Sequence, residues 1–160
     1  MKKTQMKHKN ISIVMLVLTT LLLTTACGTK AVRGAAPIVR MNELSHADNT
    51  ISLQLSMRNL NGVELNIQLI DFSLSVGDDK LFAFSGPAET NITANGIETR
   101  TIEVEESPSS KQLLDKLQAG DIKSLPYSLK GSITAVDEGK LRFSHEGHIY
   151  PVPGRPGHFR

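Results

Sequence analysis

Five histidines, one cysteine and a few clustered carboxylates are the side chains in this 160-residue sequence best equipped for chemistry. His145 and His148 fall in a stretch that reads as a β-strand, where a spacing of three puts them on opposite faces and defeats joint metal ligation. The others are His8 near the amino terminus, His46, and His158 in the last ten residues. Asp78 and Asp79 could hold a hard cation, but adjacent acids beside a glycine read as solvated turn residues. Glu103, Glu105 and Glu106 do not make the carboxylate pair of a glycosidase, because Glu103 and Glu105 share one strand face and point to water. No serine sits in a Gly-x-Ser-x-Gly elbow, and no glycine-rich loop leads into a helix in phosphate-binding form. Phe72, Phe82 and Phe84 read as core or edge packing rather than a ligand box. The expectation is a protein without catalytic residues, metal or cofactor.

Cys27 is different. It is the only cysteine, so it cannot pair within the chain, and a free thiol suits an oxidising compartment poorly. Before it, Met1 to Asn10 carries four lysines and no acid, and Ile11 to Leu23 is almost wholly apolar. A basic head, a short greasy run and small residues make a secretory signal. The run is shorter than the roughly 20 residues that span a bilayer as a helix. It ends Leu23-Thr-Thr-Ala-Cys27-Gly28, which resembles a bacterial lipobox, with the leucine one place further from the cysteine than is usual. This resemblance implies cleavage before Cys27 and attachment of diacylglycerol to that cysteine, giving a doubly or triply acylated protein with palmitate as a typical chain. One chain holds a protein to a membrane only weakly, whereas two or three make the attachment effectively permanent. Gly28 stands where an aspartate would resemble an inner-membrane retention signal, so the outer membrane is expected in a Gram-negative source.

Four of the 18 basic residues lie in the leader, leaving 14 against 16 acidic ones, a net of −2 after cleavage. With no basic field, few aromatics and no tryptophan, nucleic acid is excluded as a partner. The 134 residues from Cys27 onward suffice for one domain. Residues 27–36 are small and polar and read as a lipidated tether, and 152–160, rich in proline and glycine, as an irregular tail of a kind that partners can dock.

Between these ends the apolar residues alternate. Ile51, Leu53, Leu55 and Met57 share one strand face, and Asn59-Leu60-Asn61-Gly62 breaks the pattern. A second run starts as Val63, Leu65, Ile67, Leu69 and then changes phase to Ile70, Phe72, Leu74, Val76. A bulge near Leu69-Ile70 would let one bent strand serve a single core. Gly77-Asp78-Asp79 predicts a hairpin into a strand over 80–85, stopped by Gly86-Pro87. Further strands are expected over 97–104, 125–133 and 141–149. Helical spacing occurs once, with Ser109 or Ser110 as cap, Leu113, Leu114 and Leu117 as a stripe, and Gly120 as terminator. About seven strands and one short helix in a connection predict an all-β sandwich over residues 37–151.

These segments together resemble the late-embryogenesis-abundant (LEA) group 2 family, also called the WHy (water stress and hypersensitive response) domain. Ile51 to Gly62 is similar to the family's first core strand and its Asn-Pro-Asn turn, with Leu60 replacing the proline between Asn59 and Asn61. Val63 to Val76 is similar to the next long strand, Gly86 to a glycine after the hairpin, and Tyr127 to Gly131 and Phe143 to Gly147 to strand-plus-glycine pieces near the family's end. The resemblance implies a fibronectin-III-like, immunoglobulin-like sandwich, no catalysis, and a part in tolerance of desiccation or envelope stress. Lipid binding is an alternative role it implies, and a sheet edge opened by the Leu69-Ile70 phase switch makes a module that binds a lipid or an envelope protein the alternative expectation. Asn59, Asn61, Gly86, Gly131 and Gly147 would then be fold residues.

Overall fold

A computed structural model describes residues 32–77 and 79–160. The leader, Cys27 and its expected acylation lie outside the described residues, as do His8 and Asp78. Eight strands and one helix follow in the order β1 (Ile38–Ala47), β2 (Thr50–Arg58), β3 (Leu65–Val76), β4 (Asp79–Ile92), β5 (Ile97–Glu105), α1 (Pro108–Ala119), β6 (Leu125–Ala135), β7 (Gly139–Ile149) and β8 (His158–Phe159). They form two four-stranded antiparallel sheets, ordered β5-β2-β1-β8 and β4-β3-β6-β7. The fold is the all-β sandwich that the alternating pattern predicts, since each sheet buries its greasy face on the other. The inner faces are supplied by Ile51, Leu53, Leu55 and Met57 of β2 and by Ile70, Phe72 and Leu74 of β3, all fully or almost fully buried.

The phase change in β3 is a real break in register. Between Ile67 and Leu69, β3 carries one residue more than β6, and β4 one more than β3. Ile67 and Ile70 therefore both face inward while Leu69 turns out to solvent. Glu89, at the matching irregularity of β4, takes a left-handed φ of 41°. A second shift, at Leu74/Ser75, makes Leu81 the extra residue of β4, so that Leu81 and Phe82 are both buried.

Four expectations need correction. β4 does not stop at Ser85 but runs through Gly86-Pro87 to Ile92. It is an edge strand, and there a proline's missing donor can face solvent without breaking a ladder. The helix is capped by Ser107, whose side chain accepts from the backbone N–H of Ser110, with Pro108 at the first helical position; the expected Gly120 does close it, at φ 85°. β1 has no counterpart in the alternating pattern. Its register slips between Met41 and Glu43, so the core residues Val39 and Leu44 stand five apart and mimic no period. It returns through Asp48-Asn49, both left-handed (φ 50° and 60°), a tight two-residue hairpin.

The carboxyl-terminal residues are the fourth correction. Residues 152–160 are not an appendage beyond the domain. Tyr150 and Arg160 exchange backbone hydrogen bonds, and β8 pairs Leu44 with Phe159 and Ser45 with His158 on the flank of β1. Phe159 is fully buried in the core. At the other terminus, 32–36 is likewise fastened rather than free, because Gly62 donates to the carbonyl of Val32 and the backbone of Ala35 is held by a side chain of the β2–β3 turn.

Candidate functional site

That side chain is Asn61, and with Asn59 it makes the most heavily bonded polar cluster in the structure. Both asparagines are completely buried. Asn59 shares its two amide hydrogens among the carbonyls of Val63, Ile92 and Thr93 at 2.8, 3.2 and 3.0 Å. Its Oδ1 accepts from the backbone N–H and Nδ2 of Asn61 at 2.9 and 3.0 Å. Asn61 in turn meets Ala35 as a strand would, accepting from its N–H at 2.8 Å and donating to its carbonyl at 3.0 Å. The knot ties the β2–β3 turn, the β4–β5 connection and the incoming chain to one end of the sandwich. Between the two asparagines Leu60 is left pointing outward, 39% exposed.

The three glycines take up close approaches. A Cβ on Gly131 would come within 2.2 Å of the Asp71 carbonyl and 2.6 Å of the Phe72 Cβ, and one on Gly86 within 2.9 Å of the Phe84 ring. One on Gly147 would strike the Tyr127 ring at 2.8 Å. Phe72 meets Phe82 edge to face and Phe84 at a tilt, at centroid separations of 6.1 and 5.9 Å, the packing expected of them.

The titratable groups gather in three places. His145 faces Tyr127 rather than a carboxylate: Tyr127 Oη lies 3.1 Å from its Nδ1 and the rings stack. Burial, with the Arg40 charge as a lesser cause, holds the imidazole below its usual 6.5. Burial pushes the Tyr127 hydroxyl up from 10.0 against a smaller opposing effect of Arg40. His148 points to the outer face of β7, as the spacing predicts.

The other two places were not foreseen. His46 Nδ1 lies 3.1 Å from Glu106 Oε1, with side chains only 10% and 2% exposed, and the ring packs on Phe159 at 5.6 Å. The His46 backbone also donates to the Gly157 carbonyl. His158 Nδ1 lies 2.6 Å from Glu43 Oε1, with Arg155 at 3.2 Å. The His158 hydrogen bond, helped by Arg155, holds the Glu43 carboxyl below 4.5 despite partial desolvation. The partners in these pairs are 60 and 115 residues apart, so no local motif could announce them. The His158–Glu43 pair, with Arg155, fastens the carboxyl-terminal hairpin to β1, while the His46–Glu106 pair ties β1 to the end of β5.

Surface hollows lie elsewhere, among them the following two. One of about 270 Å³ separates α1 from the start of β4, with Asp79, Lys80 and Lys116 on its walls. One of about 430 Å³ lies over Pro126, Ser128, Glu146 and His148. His46, Glu106 and His145 line neither. Glu103 and Glu105 are exposed on β5. Among the described residues no three His, Cys, Asp or Glu side chains come together in a way that could hold a metal ion, and no helix is long and apolar enough to cross a membrane.

Comparison with protein-family models and with curated proteins finds no match. Solved structures do resemble the chain. The solution structure of AT1g01470 from Arabidopsis thaliana is 14% identical, covers 83% of this chain and 91% of its own, and superposes with a TM-score of 0.56. A late embryogenesis abundant protein, At2g46140.1, is 13% identical over 92% of this chain and 87% of its own, with a TM-score of 0.48. A crystal structure of an Archaeoglobus fulgidus protein is 11% identical over 74% and 98%, with a TM-score of 0.46. At such identities the likeness is one of architecture, and through AT1g01470 it establishes that this β-sandwich is shared with a protein of very different sequence.

Proposed function

We propose that the protein is a lipid-anchored, non-catalytic lipoprotein of the bacterial cell envelope, on the periplasmic face of an outer membrane, whose LEA group 2-like domain contributes to tolerance of desiccation or envelope stress. The reading is carried by the join between Ala26-Cys27-Gly28, which resembles a lipobox, and a sandwich whose Asn59-Leu60-Asn61 turn resembles the LEA group 2 signature. The geometry supports it in one respect: the buried asparagines and the histidine–carboxylate pairs are spent on closing the fold. A domain of this kind acts by being present at a membrane in quantity, through weak contacts of its surface.

The test has two arms. Intact mass of the protein from its native envelope is expected to show a chain beginning at an acylated Cys27, and Cys27→Ser is expected to leave the membrane fraction. A strain lacking the protein is expected to survive drying and osmotic shock less well than its parent. An unmodified thiol on an uncut chain would refute the anchor, and equal survival under both stresses would refute the protective role.

A further inference from the structure

We infer that the end of the sandwich holding the asparagine knot is a membrane-contacting surface, through which the domain rests on the same bilayer that anchors it. The inference rests on the lipid anchor of the proposed function. Its observation is the distribution of exposed greasy side chains. Among the described residues six large hydrophobics are substantially exposed: Val32, Leu60, Leu69, Ile97, Val136 and Tyr150. Four of them stand at one end. Backbone hydrogen bonds place them there: Gly62 donates to Val32, Asn59 beside Leu60 donates to Gly96 beside Ile97, and Val136 donates to Asn66 at the start of β3. Each therefore lies in a connection or at a strand terminus of that end, and Val32, Ile97 and Val136 are 59%, 59% and 57% exposed.

Scattered single hydrophobics are ordinary on a protein surface, and four gathered at one tip call for an occupant. The chain names that occupant. Val32 is five residues from Cys27, a span of at most about 18 Å of extended backbone. The Asn61–Ala35 clamp removes the slack that a longer free tether would give. A diacylated Cys27 would therefore be joined by this short span to the end that carries the four side chains. The charges nearby are mixed, with Arg33, Arg58 and Lys140 against Glu64, Glu98 and Asp137, all exposed. The contact is accordingly apolar, made with the interfacial zone of any bilayer, and needs no anionic lipid.

The absence of tryptophan from the sequence makes the test direct. Leu60→Trp, Val136→Trp and, as a control at the opposite end, Tyr150→Trp each introduce a single reporter into the full-length protein. The proteins are purified from membranes and reconstituted into phosphatidylcholine–phosphatidylethanolamine vesicles containing brominated lipid. Leu60→Trp and Val136→Trp are expected to shift to the blue and to be quenched roughly twofold more than Tyr150→Trp, with little change in high salt or on adding phosphatidylglycerol. Intact mass of the same samples reports the state of Cys27. An acylated protein whose three reporters stay equally open to aqueous acrylamide overturns the membrane contact and leaves the anchor standing. A protein with bare Cys27 whose Leu60→Trp reporter is nevertheless quenched refutes the anchor and supports the contact. Bare Cys27 without quenching refutes both.

Discussion

Asn59 illustrates how much of this fold hangs on a single amide. Its Nδ2 faces three backbone carbonyls and its Oδ1 faces two donors, so neither half can be exchanged without leaving buried groups unpaired. Asn59→Asp keeps the shape but turns a donor into a second acceptor among carbonyls. The expected loss is about 3 kcal/mol or more, a large share of a stability of roughly 5–15 kcal/mol, and larger than the loss for Asn59→Ala, as read from urea unfolding midpoints. The titrating residues predict a pH dependence. His145 is held below 6.5 in the fold, so its contribution is complete above 6.5 and is lost as the pH falls through the lowered value. Glu43, held below 4.5, acts in the same direction in a lower window; its carboxyl being about one third open to solvent (34%), it contributes less. Tyr127, raised above 10.0, keeps its contribution below that pH and loses it only in strong alkali. Thermal midpoints are therefore expected to fall on acidification from pH 7, with the first step, beginning near 6.5, missing in His145→Gln. An unchanged first step in that variant would show that another group titrates there.

Among the elements, β8 is two residues long yet seals the flank of β1. An open strand edge invites pairing with other chains, and covering it is one of the usual remedies. Phe159 is the peg, fully buried, packed on the His46 ring and bridged to Pro151. Phe159→Ala is expected to cost about 3–5 kcal/mol, and the freed hairpin should then lose the amide hydrogen-exchange protection that Tyr150, Val152 and Arg160 have in the intact domain. Equal protection in both proteins would mean that the His158–Glu43 pair holds the hairpin without the ring. The bulges in β1, β3 and β4 belong here too. Each lets a strand of odd spacing keep its apolar residues on one side, and the bulge in β3 turns Leu69 outward.

Considered entire, the domain is polarised. The α1 end is closed by Leu114 and Leu117, both fully buried, with Ser110 donating to the Leu81 carbonyl at 2.6 Å. The opposite end, with the asparagine knot, leaves four greasy side chains in solvent. A sandwich tethered at random would gain nothing from that asymmetry, whereas one held by its amino terminus would bring those side chains to the lipid. The proposed anchor would account for the exposed tip, which is why the reporter experiment and the mass measurement belong together.

Much of this was readable in the residues alone, because a half-buried strand must alternate. β2, both phases of β3, the hairpin after Val76, the Gly120 stop and the opposite facing of His145 and His148 follow from periods of two and from turn chemistry. The Asn59-Leu60-Asn61 triplet could be recognised, but not the reach of its amides across 26 to 34 residues to Ala35, Ile92 and Thr93. β1 was hidden by its bulge, β8 by its brevity and its prolines. The His46–Glu106 and His158–Glu43 pairs were hidden by distance along the chain. Local periodicity records which face of a segment is buried. Which remote groups meet depends on how the two sheets close, and that is settled only when the whole core packs.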